Sequence, residues 1–489
     1  MQRRKFCQAA LGAGLLVTPT LAWVSAARAQ TAIAAVTLDG APTQLEAAAV
    51  RDLAAALQGE LLMAGDADYD VARKLWNGMH DKHPALIARV ADSADISKAI
   101  TFARERSLLL AIKGGGHSWP GKSVCEGGLM IDLAEMHAVT VDTLARRASV
   151  QGGALLGQLD SATLAKGLVT TAGVVSHTGV GGFTLGGGFG RLNRKYGLAV
   201  DNLVAAEVVT ADGVVRQVSA EEEPDLFWAL RGGGGNFGVV SRFDYQLYPF
   251  DRNVLSGAIT WPIEQAREVL AFYRDWYLGL SDDCYVGPTM ATTPDGTSFI
   301  LMEVVYAGDP AAGEKELAPL RQFGKPMEDG IKVQDYQVMQ TWEDATFHHG
   351  IRSYAKNGMV KAIGPELVDA MLESFVPDPR LAFFTHTAGG AVKRVGELDT
   401  AFPHRKAETM MIVAGAWTDP AQDAEAMATC REWFRQLEPF TGGYYDNIEF
   451  EGAAAAGNYG PAYPRLSRIK AQYDPGNLFR LNSNILPQA

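Results

Sequence analysis

The apolar run Leu108-Leu109-Leu110-Ala111-Ile112 ends in Lys113-Gly114-Gly115-Gly116-His117-Ser118. This junction constrains the fold more than any other stretch. An apolar run that meets three glycines reads as a buried strand entering a tight loop. Glycine lets backbone N–H groups close on a phosphate, because no Cβ stands in the way. A histidine at the end of such a loop is a nucleophile held beside whatever the loop binds. The segment therefore points to a nucleotide cofactor with a covalent tether.

Two further glycine clusters follow. The first runs from Gly173 to Gly190 and contains Ser176-His177-Thr178-Gly179-Val180-Gly181-Gly182 and Gly186-Gly187-Gly188. So much glycine without proline or acid predicts backbone packed closely on something flat or anionic. The second is Arg231-Gly232-Gly233-Gly234-Gly235-Asn236-Phe237-Gly238. Gly233, Gly235 and Gly238 have GxGxxG spacing, but a dinucleotide-binding Rossmann site needs a strand before it and a helix after it. Here Pro224 to Leu230 reads as a helix and Arg242 to Leu247 alternates as a strand, so the order is reversed and that site is excluded.

At 489 residues the chain has room for two or three domains. Its formal charge is −12, and more acidic still without the basic leader Arg3, Arg4, Lys5 and Arg28. That argues against nucleic acid or an anionic membrane as partner. The leader itself, Arg3-Arg4-Lys5-Phe6, then an apolar stretch to Val24, then Ala27-Arg28-Ala29, fits a Tat-type signal peptide over 1–29. It predicts an exported protein, periplasmic or secreted, with no membrane span once the signal is removed. Cys125, Cys284 and Cys430 lie outside the signal and allow at most one disulfide. No metal-ligand spacing occurs, His348-His349 included. Gly116-His117-Ser118-Trp119-Pro120 misses the serine-hydrolase elbow because proline replaces its last glycine.

The remaining pattern is coarse. Residues 30–60 are Ala-rich and read as helical or loosely packed. An N-capped amphipathic helix is predicted from Ser93, strands over 108–112 and 128–133, and a hairpin over 207–215 with an Asp212-Gly213 turn. Beyond Asp251 glycine thins, and helices are predicted over 264–277 and 419–436. The tail turns Gly-, Asn- and Tyr-rich again.

These motifs, in this order, resemble the berberine-bridge-enzyme-like oxidases of the vanillyl-alcohol-oxidase superfamily, whose FAD-binding domain is of PCMH type. The residues that carry the likeness are Gly114-Gly115-Gly116-His117, the 179–190 cluster, Gly234-Gly235-Asn236-Phe237-Gly238-Val239-Val240 and the tail. The tail contributes Asn458-Tyr459, Arg465-Leu466 and Tyr473-Asp474-Pro475-Gly476-Asn477-Leu478-Phe479-Arg480. The resemblance implies an α+β architecture. A two-subdomain FAD-binding domain at 80–250 is followed by an α+β substrate domain with an antiparallel sheet at 251–438, and a segment at 439–489 returns to the first. It implies FAD bound through its 8α-methyl group to His117. Lys113 to Ser118 and Ser176, His177, Thr178, Gly181 and Gly182 would hold the pyrophosphate and flavin. Gly238, Val239 and Val240 fall near the adenine, and Tyr459, Tyr463 and Asn482 near the flavin.

Three departures from the family pattern matter. Val175 stands where many members carry a second, cysteinyl link, so one covalent bond is expected. The tyrosine expected just after a Tyr-x-Asn is Ile448 here. The stretch Met410-Met411-Ile412-Val413 is apolar where members carry a glutamate base. Tyr445 is then the first candidate base, followed by Tyr444, Glu449 and His386. A tyrosinate at neutral pH requires a nearby cation or the electron-poor flavin to lower its pKa. The implied activity is oxidation of a small molecule at an alcohol or amine carbon, with hydride passing to FAD and then to O2 as peroxide, or to another electron acceptor. A flavin dehydrogenase that uses a quinone or protein acceptor, and a non-catalytic exported binding protein on a degenerate flavin fold, are the rival readings.

Overall fold

The computed structural model describes residues 32–450 and 454–488. The signal peptide expected over 1–29 lies outside them. Among the described residues no helix is long and apolar enough to cross a membrane.

Three large sheets organise the chain. The first has four strands in the order Glu60–Leu62, Leu86–Arg89, Leu129–Asp132 and Leu110–Lys113. The last three are parallel and the Glu60–Leu62 edge is antiparallel. Parallel strands covered on both faces read as unbroken apolar runs, which is why 108–112 and 128–133 were legible. The helix Ser93–Glu105 covers one face through Ile96, Ala99, Ile100 and Ala103, an i, i+3, i+4, i+7 stripe. Its cap is Asp92, whose carboxylate accepts from the Asp95 N–H at 2.9 Å. Residues 30–60 differ from expectation: a short hairpin, Ile33–Val36 with Pro42–Leu45, precedes the helix Ala47–Ala56. Val50, Leu53 and Leu57 dock that helix onto the same core, so the stretch is packed.

The second sheet is a five-stranded antiparallel one: Val215–Ser219, Leu203–Val209, Val239–Gln246, Arg147–Gln151 and Val139–Asp142. It contains the predicted hairpin. The helices Pro224–Leu230 and Tyr463–Tyr473 share its core, with Leu226, Leu230, Leu466 and Ile469 against Val208 and Phe243. The tail thus packs with the sheet formed some two hundred residues earlier.

The third sheet has eight antiparallel strands drawn from Asn253–Pro262 to Thr409–Trp417. Its faces separate by residue parity. Phe383, Met411 and Val413 join the core under the helices Ala266–Trp276, Pro365–Glu373 and Asp423–Leu437. Phe384, Met410 and Ile412 point the other way and cluster with Phe189, Phe402, Tyr445 and Ile448. The apolar run 410–413 is therefore apolar on both faces for two different reasons. Cys125, Cys284 and Cys430 are buried and unpaired.

Candidate active site

A large cavity runs between the three sheets. On one side lie the loop after the strand Leu110–Lys113, with Gly114, Gly115, Gly116, His117 and Ser118, and the second cluster, with Val175, Thr178, Gly179, Gly181 and Gly182. Gly235, Asn236, Gly238, Val239 and Val240 continue this wall, and Tyr459, Phe479, Asn482 and Ser483 of the tail complete it. Opposite them, the third sheet contributes Phe384, His386, Met410 and Ile412.

The glycines serve two purposes. A Cβ on Gly115 would sit 2.5 Å from the Gly179 Cα and 2.7 Å from its N. The first two clusters therefore pack backbone against backbone, a contact no larger residue permits. Gly182 instead faces open space on the cavity wall, as expected of a residue that lets a ligand approach. Gly116 turns the chain at φ +70, and the turn aims His117 along the wall.

His117 keeps a face on the cavity and stacks on Trp76, with ring centroids 4.2 Å apart and planes within 14°. Its Nε2 is buried with no hydrogen-bond partner among the described residues. Burial first, then the neighbouring His177, push its pKa down to about 3. The imidazole is thus neutral at physiological pH, and its Nε2 is claimed by no group among the described residues. His177 lies behind it at 5.1 Å, and His349 follows at 4.7 Å. A neutral, unclaimed imidazole at the mouth of a glycine-walled loop fits attachment of a flavin. Val175 presents no thiol, and among the described residues no cysteine reaches the cavity wall. Burial holds the Cys125 thiol up at about 12.

Four residues expected to touch cofactor do not line the cavity. The Lys113 ammonium donates to the Ala72 carbonyl at 2.6 Å and pairs with Asp132 at 3.6 Å. Ser176 uses both its N–H and its hydroxyl on the Asp344 carboxylate, at 2.8 and 2.6 Å. His177 stands behind His117, and the Tyr463 hydroxyl accepts from the Leu486 N–H at 3.3 Å. Lys113, Ser176 and Tyr463 are engaged with other parts of the chain, whereas both ring nitrogens of His177 are buried without a hydrogen-bond partner among the described residues. The other expected positions, including Tyr459 and Asn482, are on the wall.

Tyr445 also lines the cavity, but its surroundings oppose a base role. Its hydroxyl accepts from the Gly188 N–H at 3.1 Å and from Asn447 Nδ2 at 2.8 Å. Burial outweighs these bonds, the nearby Asp446 charge adds to it, and the phenol is pushed up to about 12. Burial likewise raises Tyr444, and Glu449 is paired with Lys356 at 3.5 Å.

The tail is anchored by two buried polar knots. Asn236 donates from Nδ2 to the Gly233 and Ser483 carbonyls at 2.9 and 3.1 Å, and its Oδ1 accepts from the Ile485 N–H at 3.1 Å. Lys470, fully buried, pairs with Asp474 at 2.6 Å and donates to the carbonyls of Asn236 and Phe479 at 2.7 and 2.9 Å. The Asp446 carboxylate accepts from Tyr459, Ser483 and Asn458 at 2.5, 2.9 and 3.1 Å. The third glycine cluster is thus a seat for the tail, a role its spacing did not disclose. Trp76, Phe347 and Phe384 were missed; Phe384 and His386 could have been paired from the alternation of residues 381–387.

Residues 84–219 match the family model described as an FAD binding domain, and residues 447–486 match the one described as berberine and berberine like. The (R)-6-hydroxynicotine oxidase of Paenarthrobacter nicotinovorans is 32% identical over 456 residues, covering 88% of this chain and 97% of that one. The chain belongs to the berberine-bridge-like FAD-linked oxidoreductases. An FAD-linked oxidoreductase of Dictyostelium discoideum is 28% identical, with 90% and 97% covered. Among solved structures, 6-hydroxy-D-nicotine oxidase from Arthrobacter nicotinovorans superposes with a TM-score of 0.82 at 30% identity, over 88% of this chain and 98% of that one. A chitooligosaccharide oxidase shares the fold at a TM-score of 0.81 and 22% identity, over 90% of this chain and all of the other, 100%. This FAD-linked oxidoreductase therefore has the PCMH-type α+β architecture.

Proposed function

We propose that this FAD-linked oxidoreductase is an exported oxidase that carries its FAD on His117, through the 8α-methyl group and no second bond. The carrying observation is the neutral His117 imidazole, held by Gly116 and Trp76, with a buried Nε2 that has no hydrogen-bond partner among the described residues. In this reading residues 80–250 and the returning segment 439–489 hold the cofactor, and 251–438 form the substrate side. Residues 114–118, Gly182 and Val240, with Tyr459 and Asn482, face it. When bound, FAD supplies the two-electron acceptor. The protein's part is to exclude water, orient the substrate carbon and take up a proton. Phe189, Phe347, Phe384, Met410 and Ile412 make the substrate side apolar and aromatic, which favours an alcohol or amine on an apolar or aromatic frame. O2 is the acceptor proposed, with peroxide as product, and the twin arginines at the N-terminus support export.

Acid denaturation of the purified holoprotein tests the attachment. Yellow colour should stay with the wild-type chain and leave with the solvent in His117→Ala; colour released from both overturns it. Anaerobic mixing with (R)-6-hydroxynicotine, vanillyl alcohol and xylobiose, followed by admission of air, tests the reaction. Bleaching by either aromatic compound with peroxide on reoxidation is expected. Bleaching without reaction in air points to the dehydrogenase.

A further inference from the structure

We propose that His386 is the proton acceptor of this cavity, and that the molecule oxidised there is apolar or aromatic with a single O–H or N–H presented to His386 Nε2. The inference rests on the oxidase reading above and names the group that reading leaves open.

The strand Leu381–Thr387 places Phe384 and His386 on its cavity face, where they sit directly opposite Ile412 and Met410 of the neighbouring strand. His386 is thus the one polar side chain among the four that this sheet contributes to the wall. The other ionisable groups on the wall, Lys122 apart, are committed. His117 carries the cofactor in this reading, and the Asp446 carboxylate is filled by Tyr459, Ser483 and Asn458. Tyr459 gives its hydrogen to that carboxylate, and Tyr445 accepts two hydrogen bonds in a buried site that keeps it protonated. Burial lowers the Lys122 pKa, and the nearby Asp446 and Glu449 charges oppose that shift and favour its ammonium form.

His386 is free on the side that matters. Its Nδ1 lies 3.2 Å from the Tyr285 hydroxyl, and its Nε2 makes no hydrogen bond among the described residues. Tyr285 is fully buried, and burial raises its pKa well above 10, so its hydroxyl keeps its hydrogen. That hydrogen can point to the Thr385 carbonyl, 3.5 Å away. The hydroxyl oxygen then accepts from Nδ1–H, and the Nε2 lone pair is left for a molecule in the cavity that His386 lines. The groups around the ring are Tyr285, the Phe384 edge at 6.0 Å and Arg191, which is buried and paired with Glu303. Burial, reinforced by the Arg191 charge, holds the imidazole neutral with a pKa near 4.

The substrate C–H bond would break with its electron pair, and FAD, when bound, would supply the two-electron acceptor for the hydride. The O–H or N–H bond breaks, its pair becomes the new C=O or C=N bond, and its proton goes to Nε2. The imidazolium so formed, disfavoured in this setting, returns the proton to water. A second hydroxyl on the substrate would find no partner where it lay against Phe384, Met410 or Ile412, which favours a molecule with one polar hydrogen on that side.

Two measurements on the holoenzyme decide. In protein labelled with [15N]histidine, one histidine, absent from His386→Asn, should carry its proton on Nδ1, leave Nε2 bare and not titrate above pH about 5. A proton on Nε2, or titration near 6.5, overturns the proposal. His386→Asn keeps a donor for Tyr285 but no acceptor at Nε2. With equal flavin content it should bleach about 100-fold more slowly than wild type with vanillyl alcohol or (R)-6-hydroxynicotine, and a loss under threefold overturns it. Bleaching by xylobiose alone overturns the substrate class. A wild type that binds flavin yet is bleached by none of the three sinks the oxidase reading, while the labelled spectrum still decides the histidine.

Discussion

The two long walls of the cavity are made of different material. The cofactor side is largely backbone, with Gly115 against Gly179, the turn at Gly116 and the seat at Asn236. The substrate side is side chain, with Phe384, His386, Met410 and Ile412 standing on alternate positions of an antiparallel sheet. Backbone walls tolerate almost no substitution because the close approach itself is the structure. Side-chain walls can be rebuilt residue by residue without disturbing the sheet. The difference explains how one fold holds one cofactor and many substrates.

The contrast can be broken at several points. The largest effect is expected at His117→Ala, which should abolish covalent flavin entirely, read as colour lost from the acid-precipitated chain. Next is Lys470→Met, which leaves Asp474 buried without its cation and should cost about 3–5 kcal/mol. Chemical denaturation of the holoenzyme checks it, and a cost under 1 kcal/mol would mean that the tail is held by packing alone. Gly115→Ala forces apart two backbones and should cost about 1–3 kcal/mol, whereas Met410→Leu on the opposite wall should cost less than about 1.5 kcal/mol. Equal losses at the two sites would erase the distinction between the walls.

Acid should act through the enclosed histidines. His386 and His404 have pKa values lowered to about 4, burial being the first cause in each. The unfolded chain, with histidines near 6.5, binds more protons below that pH. Their contribution to stability is full above pH 6.5 and declines as pH falls toward 4. Denaturation midpoints measured from pH 7 to 4.5 should fall, and His386→Asn should flatten part of that slope. The smallest effect is expected at Tyr445→Phe. Flavin reduction should change less than about threefold; a 100-fold loss would restore Tyr445 as the base.

The legibility of the molecule follows the same division. Lys113 to Ser118 and 179–190 were readable because glycine is costly wherever it is not needed, so its clusters mark backbone contacts. The parallel strands announced themselves as apolar runs. The purpose of the third cluster was not readable, because Lys470 and Asp474 lie far along the chain and only the fold brings them to Asn236. Tyr445 attracted attention by its neighbours in sequence, but its pKa is set by Gly188, Asn447 and burial. The apolar stretch 410–413 looked like a missing base. It is one wall of the cavity back to back with a helix-covered core, and the histidine that faces Met410 across the strands lies in a segment that no motif marked.

The tail carries a consequence for biogenesis. Tyr459, Phe479, Asn482 and Ser483 close the cavity, yet they leave the ribosome after every other part of it. At about 5–20 residues per second, the glycine loops exist for roughly ten to fifty seconds before their last wall arrives. During that interval the cofactor side is an open shelf, and the docking of Lys470 and Ser483 onto Asn236 turns it into a closed room. The last wall of the cavity is in this way the last part of it to be synthesised, an order set by the direction of translation.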